Sequence, residues 1–251
     1  MAEVQKDLNR IFQTVHPEVT ENLYHVGTMD ISKKSKFSCE GNGLSVSNCP
    51  DEWVAITEGF THGDYFKLSK SDMKLLDFYG LSDGEKKIMQ DWAIEHGYVQ
   101  EGTLYKCISW DEEGFECYSL FDSFEVALEE SDYEEDRVFP VSGFRPTEKL
   151  IDQSMVKVEL LDVPNIIAEL YAEQVLDYDG VYWDEVLDVS VYSAPRGVIF
   201  NSKVSTFDVI NITQANKVKV PLEAQIQSAS ARVAESHPAD KTPARESTHE
   251  H

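Results

Sequence analysis

The chain has 251 residues, 41% hydrophobic and 11% aromatic, a composition that supports a packed core and excludes a wholly disordered protein. Its 46 acidic against 22 basic residues leave a formal net charge of −24, which disfavours unaided binding to nucleic acid or an anionic membrane, since phosphate contacts need a basic surface. Half of that charge lies in residues 111–136, with twelve Asp or Glu and no Lys or Arg. Such a block reads as a solvated face, a mimic of a phosphate backbone, or a docking surface for a basic partner.

In chain order, Val4, Leu8, Ile11 and Phe12 have helical spacing, which predicts an amphipathic helix from Glu3 to Val15, ended by Pro17. Asn22 to Gly27 and Gly43 to Ser47 read as strands, and Pro50 opens a helix running through Trp53. Ser71 to Tyr79 and Ser82 to His96 both carry helical periodicity behind Ser and Asp caps. Two apolar runs either side of Asp111-Glu112-Glu113-Gly114 predict a hairpin between Thr103 and Leu120. Val138 to Val141 and Met155 to Leu161 read as strands, Asn165 to Leu176 as a helix behind Pro164, and Gly180 to Trp183 as a strand. Tyr192 to Phe200 is expected to be extended around Pro195, followed by a strand from Val204 to Ile212 and another at Lys217 to Val220.

After Pro221 apolar anchors fade, so residues 222–251 read as a disordered tail on a single α+β domain of residues 1–221. Removal of residues 225–251 is expected to leave the melting temperature within about 3 °C of the full chain in a thermal scan. The four cysteines, Cys39, Cys49, Cys107 and Cys117, show no metal-ligand spacing and read as reduced. No apolar run is long enough to span a bilayer, and the opening MAEVQKDLNR lacks a signal-peptide core. The expectation is a cytoplasmic protein that does not engage a membrane.

No phosphate-binding loop, dinucleotide fingerprint, zinc-protease helix or nucleophile elbow occurs. Three segments remain that could carry chemistry. Tyr24-His25-Val26-Gly27-Thr28 places a histidine in a strand before a glycine turn; Gly41-Asn42-Gly43-Leu44-Ser45-Val46-Ser47 lets backbone approach a ligand before a strand bearing two hydroxyls; and Gly180-Val181-Tyr182-Trp183-Asp184-Glu185 ends a strand in two carboxylates, with Arg196 following.

In this order and spacing the three segments resemble the ADP-ribosyltransferase superfamily, in particular the branch with a His, Tyr, Glu site that includes poly(ADP-ribose) polymerases and some phage-encoded anti-CRISPR enzymes. The resemblance covers residues 22–57 and 165–200. It implies split antiparallel β-sheets around an NAD cleft, a helical and acidic insertion at about 60–145, and transfer of ADP-ribose from NAD to a macromolecular acceptor, protein in preference to nucleic acid. Hydrolysis of NAD is the near variant, and a phage, plasmid or toxin setting suits both. By the same resemblance Glu185 stabilises the oxocarbenium-like cation, with Asp184 as the neighbouring candidate. His25 would hold a ribose hydroxyl, and the backbone around Gly27 and Thr28 the nicotinamide amide.

Where the family carries a stacking tyrosine, this chain has Ser45. Either Ser45 and Ser47 act as in the Arg, Ser, Glu branch, or Tyr182, Trp53 or Tyr24 supplies the aromatic face. Gly43 would admit the ligand, and Arg196 would contact the pyrophosphate of NAD or pair with a surface carboxylate. The rival from another class is a non-enzymatic acidic inhibitor or adaptor. It would use residues 111–136 to mimic nucleic acid or to dock a basic protein.

Overall fold

A computed structural model describes residues 12–15, 20–33, 42–56, 63–110, 114, 116–132, 134, 137–183 and 196–212. The tail expected at 222–251 and the strand expected at 217–220 lie outside these residues, as does most of the helix expected at 3–15. All described residues belong to the unit Met1–Thr213, a mixed α+β assembly of three sheets.

The first sheet pairs β1 (Leu23–Gly27), β3 (Asp64–Ser69) and β10 (Asp208–Asn211), all antiparallel, in the order β1-β3-β10. The second has the order β2-β9-β8-β4, from β2 (Leu44–Val46), β9 (Gly197–Ile199), β8 (Gly180–Tyr182) and β4 (Leu75–Asp77). Its β4–β8 pair is parallel, so the expectation of purely antiparallel sheets is corrected there. The third sheet, β6-β5-β7, joins β5 (Val99–Trp110) to β6 (Glu116–Phe121) and β7 (Val138–Pro146).

Strand alternation gives the second sheet two buried faces. Leu44, Val46, Leu75, Tyr182 and Ile199 point into one core with Leu23 and Leu68 of the first sheet. Leu76, Val181, Val198 and Phe200 point the other way, onto α2 (Asp83–Glu95) and α5 (Val163–Gln174). The order of layers is therefore sheet, sheet, helices. Short apolar strands fit the doubly buried middle layer because no position in them has to face water.

Close strand packing requires glycine at Gly180. A Cβ there would fall 2.0 Å from the Val198 carbonyl oxygen and 3.1 Å from Leu75 Cδ2. Neither a backbone oxygen nor a fully buried leucine can give way cheaply, so Gly180→Ala is expected to destabilise by about 1–3 kcal/mol in urea unfolding. A loss below about 0.5 kcal/mol would show that β8 and β9 can part without penalty.

Local signals explain several elements. Ser82 and Glu85 form a reciprocal capping box that starts α2. Ser123 accepts the Val126 N–H and starts α3 (Phe124–Glu130). Helix α1 (Pro50–Ile56) begins on Pro50 with Asp51 and Glu52 in its first turn, as the helix dipole favours. Helices α4 (Glu148–Gln153) and α6 (Asn201–Val204) follow later in the chain.

Four sequence expectations are corrected. Ser71 to Tyr79 is not a helix: Leu75 and Leu76, adjacent and both fully buried, enter opposite cores, which only an extended strand allows. Gln13 to Val15 is extended beside β4, with hydrogen bonds Val15 N–H to Leu75 O and Asp77 N–H to Gln13 O. Met155 to Leu161 forms no strand; Met155 N–H donates to Asn42 Oδ1, Val156 N–H to Ser154 Oγ, and a turn closes from Asp162 N–H to Glu159 O. Val204 to Ile212 begins as the last residue of α6, and the strand starts only at Asp208.

The segment 60–145 also divides. Strands β3 and β4 are integral to the first two sheets, whereas the third sheet with α3 is the part that pairs with neither.

Candidate functional site

The first two sheets meet where Tyr24 of β1 and Ser47 exchange backbone hydrogen bonds, each 2.9 Å. From there β2 pairs with β9, and β9 with β8, so the three sequence segments lie in nearby strands with β9 between β2 and β8. Trp183 N–H donates to Arg196 O at 2.7 Å, which holds together the two ends of the connection between β8 and β9. Asp184 and Glu185 belong to that connection and lie outside the described residues.

His25 is buried on the face of β1 that also carries Leu23. Its Nδ1 lies 2.8 Å from the Ser45 carbonyl oxygen and its Nε2 3.0 Å from that of Thr28. Both oxygens are acceptors, so a doubly protonated ring satisfies both, whereas a neutral ring satisfies one. Phe66 stacks and Trp53 packs edge-on, each with its ring centre 6.2 Å from the imidazole. Gly27 has φ +134°, which favours glycine, and a Cβ there would approach His25 Nε2 to 3.3 Å. The glycine turn thus keeps the imidazole edge clear of side-chain bulk.

Alternation separates the remaining candidates. Ser45 and Ser47 share the face of the second sheet opposite to Leu44 and Val46, so their side chains do not lie on the face that carries Tyr182. Ser47 Oγ accepts the Cys49 N–H at 3.0 Å, a local turn that leads into α1. Gly43 owes its small size to β9, because a Cβ would sit 2.4 Å from the Ile199 carbonyl oxygen. Its close approach is to backbone.

Of the three aromatic candidates, Tyr182 and Trp53 are fully buried, with the Tyr182 hydroxyl donating to Asn48 Oδ1 at 2.8 Å. Tyr24 is partly buried on the opposite face of β1 from His25, with Lys67 Nζ 5.8 Å from its ring centre. Arg196 is buried, donating from Nη2 to Glu52 Oε2 at 2.8 Å and from Nη1 to Asn48 Oδ1 at 3.4 Å. Asn48 thereby links β8, β9 and the start of α1, a role no sequence motif announced.

Tyr65 of β3 ties the same helix to the first sheet, its hydroxyl donating to Asp51 Oδ1 at 3.1 Å. Desolvation, then the Asp51 carboxylate, push its phenol up to about 12. A raised folded value means that this contribution is complete below the ordinary pKa near 10 and is lost as pH rises towards 12. Alkaline unfolding is therefore expected to be steeper in the parent than in Tyr65→Phe over that window, as read by melting temperature against pH.

A cleft of about 150 Å³ opens on the helical side of β8, lined by Val181 and Trp183 together with Phe78, Tyr79, Asp162 and Glu169 among others. Tyr182 faces the other way. Among the described residues no three His, Cys, Asp or Glu side chains are grouped to hold a metal ion. No described helix is long and apolar enough to cross a membrane. Comparison of the chain with protein-family models, with curated proteins and with solved structures finds no match to any of them.

Proposed function

We propose that this protein transfers ADP-ribose from NAD to a macromolecular acceptor, protein rather than nucleic acid, with NAD hydrolysis as the outcome when water intercepts the cation. The observation that supports this reading is that three segments far apart in the sequence lie in neighbouring strands. His25 reaches the Ser45 carbonyl, β1 bridges β2, and β9 with β8 follows in the same sheet. In this reaction the bond between nicotinamide and C1 of the ribose breaks, and nicotinamide departs with the bonding electrons as a neutral molecule. The acceptor then bonds to C1 and sheds a proton.

A carboxylate from Glu185 or Asp184 stabilises the cation, and His25 holds a ribose hydroxyl by sharing or releasing its contact to Thr28 O. The test is nicotinamide release from NAD by the purified chain, slow alone and faster with acceptor. His25→Ala is expected to raise the NAD concentration needed for half-maximal release by about tenfold, with a melting scan to separate loss of binding from loss of fold. No release under any acceptor condition would overturn the reading.

A second reading, docking of a basic partner protein, is supported by the third sheet. Its register puts Trp110, Tyr118 and Phe139 on the face away from α3, and they remain 52%, 49% and 43% exposed. Large aromatics left open in this way are characteristic of interface centres. Of the acidic residues of 111–136, Glu116 lies on β6 and Glu125, Glu129 and Glu130 on α3. With a partner in hand, neutralising Glu129, Glu130, Glu134 and Glu135 together is expected to slow association and to flatten its salt dependence. Association indifferent to both would reduce the acidic run to a solubility feature.

A further inference from the structure

The cleft on the helical side of β8 is chemically unlike the His25 locus, and it is walled by four segments, one of them Val156 and Lys157 before α5. Trp183 and Val181 come from the β8 segment, Phe78 and Tyr79 from the turn after β4, and Asp162, Asn165, Ile166 and Glu169 from the first turns of α5. Phe78 and Tyr79 meet edge to face, with ring centres 5.7 Å apart. Apolar and aromatic residues thus share one small cleft with two acidic residues.

The carboxylates are held differently. Glu169 is only 4% exposed and accepts the Asn42 N–H at Oε2. Asp162 stands at the N-cap of α5 yet makes no side-chain capping bond. Burial first, and the neighbouring Glu159 carboxylate second, hold its carboxyl above the ordinary range. Lys157 also lines the cleft, and its ammonium pairs with Glu159 Oε1 at 2.7 Å.

We propose that this cleft binds a guanidinium group, its flat face against the aromatic wall and its N–H edges towards Asp162 and Glu169. A guanidinium is planar, weakly hydrated and able to stack on rings while pairing with carboxylates, which an ammonium does less well. A volume of about 150 Å³ accommodates one such head group and part of its stem. The net charge of −24 draws cations to the whole surface. The guanidinium belongs to a small free molecule or to an arginine side chain of another protein, and the proposal does not rest on NAD chemistry.

The test is calorimetric titration of the full chain with N-butylguanidinium and with its uncharged counterpart N-butylurea, alongside an arginine-containing tripeptide and its lysine version. N-butylguanidinium is expected to bind at least tenfold more tightly than N-butylurea, and the arginine peptide more tightly than the lysine peptide. A tighter arginine peptide than N-butylguanidinium assigns the site to a protein side chain, and the reverse to a free ligand. Asp162→Asn, at a partly exposed position, is expected to lower affinity about tenfold without changing the melting temperature by more than about 3 °C. Glu169→Gln and Trp183→Ala are expected to do the same where they fold. Equal binding of N-butylurea, no binding of either small molecule at millimolar concentration, or an Asp162→Asn chain that binds as the parent does would overturn the proposal.

Discussion

Glu185→Gln is expected to slow nicotinamide release by about 100- to 1000-fold, equivalent to about 3–4 kcal/mol of barrier, while leaving the melting temperature unchanged. The substitution keeps the size of the side chain and its ability to hydrogen-bond, but removes the negative charge that the proposed reaction would use to stabilise an oxocarbenium ion. A structural role would show itself in stability, whereas this change is read in turnover. Asp184→Asn tests the neighbouring carboxylate in the same assay. If Glu185→Gln is fully active and Asp184→Asn is inert, the chemistry stands with the other carboxylate in charge. If both retain parental release, an essential carboxylate at this connection is excluded.

The second large effect falls on the frame of the site. Asp179 is buried immediately before β8, and it accepts from Lys70 Nζ at 2.5 Å and from the Lys74 N–H at 3.0 Å. Its own backbone N–H donates to Lys74 O, and its carbonyl accepts the Phe200 N–H. One residue therefore registers β4, β8 and the end of β9. Asp179→Ala leaves the Lys70 ammonium beside a desolvated gap and removes the acceptor of a backbone donor. Breaking a buried pair from one side costs about 3–5 kcal/mol, and the lower figure fits here because Lys70 retains 25% exposure. A loss of about 3 kcal/mol in urea unfolding is the expected result, a large share of the roughly 5–15 kcal/mol typical of a folded domain. Asp179→Asn, which keeps an acceptor for Lys74, is expected to cost about half as much. A loss below about 1 kcal/mol for Asp179→Ala would mean that the β-sheet register is fixed elsewhere.

The parts of the fold legible in the sequence are those with local determinants. Helix α2 is written in the Ser82–Glu85 capping box, α5 in Pro164 and its apolar spacing, and the β5–β6 hairpin in two apolar runs around an acidic turn. Strand β3 is not legible in the sequence because its pattern, DYFKLS, has partners about 40 residues before it and about 140 after it, and no local motif encodes those pairings. Strand β4 looked helical because a doubly buried strand presents adjacent leucines, which periodicity alone does not distinguish from a helix segment.

The candidate site divides along the same line. The order of the three segments is legible; in the fold a bridge joins Tyr24 of β1 to Ser47, and β9 stands between β2 and β8. Side-chain direction follows from two-residue alternation: Leu44 and Val46 assign Ser45 and Ser47 to the other face of β2. Asn48, Glu52 and Glu169 carry no such signal, because they act through Tyr182, Arg196 and Asn42, at least 127 residues away. The partner of a buried polar group is settled by packing, and packing at that separation is not readable from one chain.

The most direct measurement of the central claim follows the adenosine half of NAD. The chain is incubated with NAD labelled in that half, together with a protein lysate and, separately, with nucleic acid. The account predicts label fixed covalently to protein in proportion to nicotinamide released, and label lost when Glu185 and Asp184 are both changed to their amides. NAD recovered intact from every mixture would contradict it.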